Sequence, residues 1–304
     1  MKLVEDIIDK TVENLREPLV DFVQQIVRTP SLPDEEHTVQ ELVASKLKTL
    51  ETEVDVFPCQ FEQLKDHPAF CDDGFSPNER VDVVGRWMGN GSGRSLILNG
   101  HVDVVPTGDE TLWDDSPWSG AVKDGHIYGR GSCDMKAGLS SGIFAMEALK
   151  KLNYKPDGEI LFESVVGEES GGAGTLAAIE RGYSADGAVI LEPTSLCLSP
   201  IQSGALTFRL TVTGKATHAA MKWDGVNAIE KFAILQTSIN DLEKRRHKKM
   251  TYDYYDNPNQ IAPINLGTIN QFFHSALTPA QARQLITEHA AEFDVKSAAN
   301  LEER

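Results

Sequence analysis

Four short segments of this chain gather histidine and carboxylates at spacings that could hold and use a metal ion. The first, NGHVDVVP, follows the apolar run SLILN and carries His101 and Asp103. On an extended backbone these two point the same way, and an aspartate there can accept the imidazole's second N–H and fix its tautomer. Taken alone, H-x-D more often marks a structural histidine. In GRGSCDMKAG, Asp134 lies between a glycine-rich turn and a helix beginning near Lys136, where it reads as a helix N-cap or as a carboxylate at a sheet edge. VVGEESGGAG places Glu168 and Glu169 at the mouth of an apolar strand. Two adjacent carboxylates there are costly unless one binds a metal and the other takes a proton from water; a solvated acidic turn is the plainer alternative. A phosphate site is strongly disfavoured at G-G-x-G, since two glutamates precede it and no lysine follows. In AVILEPTS, Glu192 ends a further apolar strand. One histidine with several carboxylates at strand ends suits a divalent ion, zinc first and manganese or cobalt next.

The elements that must carry these residues are legible from hydrophobic period. VDVVGRW, SLILN, EILFESVV and AVIL are continuous apolar runs, as expected of strands buried on both faces of a mainly parallel sheet. Helical spacing appears in Leu15, Leu19, Phe22, Val23 and Ile26, in Val39, Leu42, Val43 and Leu47, and in Leu139, Ile143, Met146 and Leu149. Strands alternating with helices predict α/β architecture. Residues 57–80, with three prolines, read as a long surface excursion. The style changes near Gly204: ALTFRLTVTG alternates like a strand with one wet face, and a long helix follows with Ile229, Phe232, Ile239 and Leu242 on one side. The expected organisation is a hydrolase-like domain over residues 1–202 and a smaller α+β domain over 203–304. Thr278-Pro279 predicts a last helix over about 279–292.

Lys plus Arg number 29 against 46 Asp plus Glu, a formal charge of −17. That balance argues against nucleic acid or an anionic membrane as the main partner. The amino terminus lacks the apolar stretch of a signal peptide and no later run could span a bilayer, so the cytoplasm is expected. Cys59, Cys71, Cys133 and Cys197 are scattered and are expected to be free thiols.

GHVDVVP, GRGSCDMKAG, GEES and EPTS, in this order, resemble the acetylornithine deacetylase, succinyl-diaminopimelate desuccinylase and aminoacylase family of two-metal amidohydrolases and peptidases, over roughly residues 15–270. The resemblance implies that His101 and Glu192 bind one metal, that Asp134 bridges two, and that Glu169 binds the second. It makes Glu168 the general base and acid and Asp103 the residue that orients His101. GKATHAAMKWDGVNAI resembles the start of a lid domain through which family members dimerise, with His218 stabilising the oxyanion in the neighbouring subunit. The substrate implied is an N-acyl amino acid or small peptide, N-acetylornithine foremost. A later family block that supplies the second metal's histidine is absent after residue 270. The expectation is therefore a catalytic domain lacking its C-terminal part, with a weakly active or merely metal-binding chain as the alternative.

Overall fold

The computed structural model describes residues 2–71, 74, 80–200, 204, 208, 210–250 and 263–266. The chain divides into two compact units, Met1–Ser199 and Pro200–Arg304. In the first, helices α1 (Lys2–Asn14), α2 (Arg16–Arg28) and α3 (His37–Thr49) precede strand β1 (Glu53–Pro58), the short helix α4 (Phe61–Leu64), and strands β2 (Val81–Trp87) and β3 (Leu96–His101). A small hairpin of β4 (Ala121–Lys123) and β5 (His126–Tyr128) leads into α5 (Ala137–Lys151). Then come β6 (Ile160–Val165), α6 (Ala173–Glu180) and β7 (Gly187–Ile190).

The central sheet has the order β1-β2-β6-β3-β7. β3 runs parallel to both β6 and β7, whereas β2 is antiparallel to β6 and to β1. β2 is thus the single reversed strand, and the fold is α/β with a mainly parallel sheet. Because β3, β6 and β7 share a direction, their carboxyl ends open onto one edge. That edge is where such sheets place their sites.

Helices cover both faces. Leu47 of α3 lies against Gly85, and Gly142 of α5 against Phe162; these two sheet positions are register partners on one face. Gly174 of α6 lies beside Asp82, which has the opposite parity. The apolar stripes read from the sequence point inward: Phe22, Val23 and Ile26, then Val39, Val43 and Leu47, then Leu139, Ile143 and Met146, are all buried. Two expectations need correction. The segment from residue 57 does not begin as a surface excursion, since β1 runs to Pro58 and Cys59, Phe61 and Leu64 are buried. Nor is β7 covered on both faces; it is an edge strand of the sheet with Val189 46% and Ile190 53% exposed.

One close approach sets the β7 end. A Cβ added to Gly138, in the first turn of α5, would fall inside the van der Waals radius of the Leu191 carbonyl oxygen. Leu191 N in turn donates to Asn99 O at 3.0 Å, extending the β3–β7 pairing to the residue before Glu192. Gly138→Ala is therefore expected to cost about 1–3 kcal/mol through overpacking. Thermal unfolding should show the lowered midpoint, and an unchanged midpoint would refute the close packing.

In the second unit, His218 caps a 3-10 turn over Ala219–Asp224, its Nδ1 accepting from Ala220 N at 3.1 Å. Asn227 then caps α7 (Ala228–Lys249), accepting from Ile229 N at 2.9 Å. Lys215 and Val226 form an isolated antiparallel bridge. Among the described residues of ALTFRLTVTG none lies in a strand, and α7 buries none of the apolar side chains expected on its inner face. The expected helix at 279–292 lies outside the described residues.

Candidate metal centre

His101 is the last residue of β3 and is only 1% exposed, so its imidazole forms the floor of the site. Its Nδ1 lies 2.8 Å from the backbone carbonyl of Asp103 and must donate there, which leaves Nε2 as the nitrogen that offers a lone pair to a metal once the ring is neutral. Nε2 faces Asp134 Oδ1 at 3.2 Å, Glu168 Oε2 at 3.7 Å and Glu192 Oε1 at 3.7 Å. Glu168 and Glu169 follow β6, and Glu192 follows β7, so three parallel strand ends deliver these groups to one edge. Asp134 arrives from the irregular turn Ser132–Lys136, whose Met135 Sδ accepts from His101 N at 3.3 Å. It does not cap α5, whose N-cap position is Lys136, and its side chain is 56% exposed.

Acceptors converging on a lone pair repel one another, and the ionisation of the group records it. Burial pushes the carboxyls of Glu168 and Glu169 up, and neighbouring carboxylates push them further, against the pull of His101. Glu192 is raised to about 7 by burial and by Asp134, Glu168 and Glu169. For His101 burial acts downward, yet Asp103, Glu168 and Glu192 raise it on balance. A divalent cation would relieve this excess of negative charge. Two donors about 2 Å from a tetrahedral ion sit about 3.3 Å apart, close to the separations found. Donor atoms of His101, Asp134 and Glu169 lie within 4.8 Å of one another, as do those of His101, Glu168 and Glu192. The donor set thus fits a divalent ion. It differs from the expected arrangement in one respect: Glu168 stands with Glu192 in one of these sets, although the resemblance makes it a base and not a ligand.

Asp103 acts differently from the expectation. Its carboxylate is 3.6 Å from Nδ1, beyond a hydrogen bond, and the backbone carbonyl orients the ring instead. The two carboxylate oxygens accept from Glu168 N at 3.2 Å and Glu169 N at 3.1 Å. One buried aspartate therefore holds the turn that carries both glutamates. Asp103→Ala should leave both N–H groups unpaired and weaken metal binding about 10–100-fold, the usual cost of removing an outer partner. Calorimetric titration with Co²⁺ would measure this, and unchanged affinity would contradict the role.

Further supports escaped the sequence reading. Glu36, at the start of α3, pairs through Oε1 with Arg80 at 2.8 Å, and both side chains are buried. Burial raises Glu36 to about 7 despite the guanidinium. A Cβ on Gly167 would lie 3.0 Å from Arg80 Nη2, so this pair sits under the turn before Glu168. Asp82 Oδ1 accepts from Val166 N at 3.0 Å, and Asn99 donates to Glu163 at 2.9 Å across the β3–β6 register. The available signal was charge inside apolar runs, at Asp82 and Glu163. Glu36 and Arg80 carried none. His218 belongs to the second unit.

With this geometry in place, the comparisons are decisive about kinship. The profile of peptidase family M20/M25/M40 matches residues 97–296, which is 200 of 304 residues and includes the segments that carry His101, Asp134, Glu168, Glu169 and Glu192. The chain belongs to this family. It is 32% identical over 301 residues to the N-formyl-4-amino-5-aminomethyl-2-methylpyrimidine deformylase of Halalkalibacterium halodurans, covering 95% of this chain and 66% of that protein. It is 37% identical over 153 residues to a probable succinyl-diaminopimelate desuccinylase of Staphylococcus aureus, covering 50% of this chain and 38% of that one. Human carnosine dipeptidase 1 shares the fold, with a TM-score of 0.50 at 21% identity over 61% of this chain and 40% of that one. The chain thus spans about two thirds or less of the length of these curated relatives. Two expectations change. The likeness extends beyond residue 270, and these relatives are named a deformylase and a desuccinylase, not acetylornithine deacetylases specifically. Among the described residues no helix is long and apolar enough to cross a membrane.

Proposed function

We infer that this chain is a metal-dependent amidohydrolase that removes a small acyl group from an amine, in an N-acyl amino compound or small peptide. The observation that carries the reading is the meeting of His101 Nε2 with Asp134, Glu168 and Glu192 at one sheet edge. His101, Asp134, Glu169 and Glu192 are the residues that would hold two divalent ions, zinc first and cobalt or manganese next. Such ions, when bound, polarise a carbonyl and bring the pKa of water towards neutrality.

The chain's own residues supply the remainder. Glu168, on the open side of the cluster, accepts a proton from the attacking water and returns it to the leaving nitrogen as the C–N bond breaks. Asp103 keeps the Glu168–Glu169 turn in place, and its carbonyl keeps the lone pair of His101 aimed at the cluster. His218 is assigned to the oxyanion, from the lid of a second subunit, in keeping with the family resemblance. The unpaired cysteines, Cys59, Cys71, Cys133 and Cys197, suit a reducing compartment such as the cytoplasm.

The names of the relatives point to formyl and succinyl groups beside acetyl. A panel of N-formyl, N-acetyl and N-succinyl amines, assayed with Zn²⁺, Co²⁺ or Mn²⁺ and with a chelator, tests the proposal. Amine release that the chelator abolishes is expected. Tight metal binding without turnover on any member would favour a chain that binds metal only.

A further inference from the structure

Asp134 is held in place by almost nothing of its own. Among the described residues its carboxylate is within hydrogen-bond distance of His101 alone, and its backbone is non-helical, with φ −113° and ψ 100°. Whatever fixes this carboxylate must act through the residues that follow it. Met135, the next residue, is held against His101 N. Two residues after Asp134 comes Lys136, which is wholly buried.

The Lys136 ammonium donates to the carbonyls of Ile26 at 2.8 Å and Thr29 at 3.0 Å, and it lies 5.8 Å from the centre of the Trp118 ring. Both carbonyls belong to the C-terminal end of α2, where the last turn's acceptors have no partner within the helix. A cation there also complements the negative end of the helix dipole. No carboxylate among the described residues lies within ion-pair distance of this lysine. Its charge is met by helix carbonyls and an aromatic face. The Lys136 backbone N donates to Gly131 O at 2.9 Å and its carbonyl accepts from Ser140 Oγ at 2.7 Å, so the residue is tied on every side.

We propose that Lys136 is a positioning residue of the metal centre: its ammonium pins the Asp134 turn to the end of α2 and thereby sets metal affinity. The inference rests on the metal-centre reading above. Only one residue separates the anchor from Asp134, so a shift at Lys136 is passed to the carboxylate with little slack to absorb it. A buried lysine serving stability alone would affect folding without changing how the ion is held.

The test uses the full chain and Co²⁺, followed by calorimetry and by the visible absorption that reports coordination geometry. Lys136→Met keeps an unbranched stem and removes the donors. It is expected to weaken Co²⁺ binding about 10–100-fold, in the range typical of lost outer supports, and to alter the absorption spectrum. Gln24→Leu is the control, because it removes another tie of α2, from Gln24 Nε2 to Gly120 O at 2.6 Å, without touching the turn. It should lower the melting temperature and leave Co²⁺ affinity and spectrum unchanged. If Lys136→Met does not fold, Lys136→Arg takes its place, with weaker binding expected because the longer fork cannot meet both carbonyls in the same way. Wild-type affinity and spectrum in the folded lysine variant would overturn the proposal, as would equal losses in the Gln24 control. Failure of the unaltered chain to bind Co²⁺ would instead overturn the metal-centre reading itself.

Discussion

Replacing Glu168 with Gln is expected to lower amide hydrolysis about 10²–10⁴-fold, the usual worth of a positioned general base, while metal content stays close to that of the unaltered chain. The side chain is placed for this. It lies beside His101 Nε2 at 3.7 Å, yet it is 46% exposed and so reaches the open side where a substrate would enter. Burial and the neighbouring carboxylates hold its carboxyl above the usual range, which favours a group that accepts and returns a proton. Its backbone is fixed by Asp103, so the substitution alters the carboxylate without releasing the turn. Measuring turnover and bound metal in the same sample separates base from ligand. Parallel loss of both would place Glu168 in the metal's coordination shell, as one of the two three-residue sets would have it.

The second large effect is expected at His101. It is the residue common to both donor sets and the most deeply buried of them. His101→Ala should reduce metal affinity by more than about 100-fold, beyond what the loss of an outer partner costs. The remaining donors are carboxylates on three separate segments, and without the imidazole each faces the others' repulsion. Circular dichroism of the metal-free variant should still report the α/β fold, since the imidazole contributes little to the apolar core. Retained Co²⁺ affinity in a folded His101→Ala chain would show that the ions, if any, bind elsewhere.

The residues of the candidate site were more legible in the sequence than the elements that carry them. His101, Glu168, Glu169 and Glu192 stood at or just past the end of an apolar run, where burial makes charge conspicuous, and Asp134 followed a glycine-rich turn. The parallel strands that gather them were legible because a strand covered on both faces is mostly apolar, as β6 is apart from Glu163 and Ser164. β7 reads the same way and yet lies at the edge, because a run of four apolar residues cannot report how many neighbours it has. β1 was missed because EVDVFP alternates and ends in proline, which hid its antiparallel pairing with β2. The role of Asp103 was half seen. Spacing put its carboxylate beside His101, but only the three-dimensional path of the chain brings Glu168 N and Glu169 N, 65 and 66 residues on, within its reach. Lys136 and the Glu36–Arg80 pair carried no local signal, since their partners are 110, 107 and 44 residues away.

The central claim, that His101 and its carboxylates form a metal centre, is tested most directly by anomalous diffraction at the zinc edge from crystals grown with Zn²⁺. The account predicts an anomalous peak about 2 Å from His101 Nε2, with oxygen atoms of Asp134 and Glu192 or Glu169 in the same shell. A structure at full zinc occupancy with no peak at His101, or with peaks only at surface histidines, would contradict it.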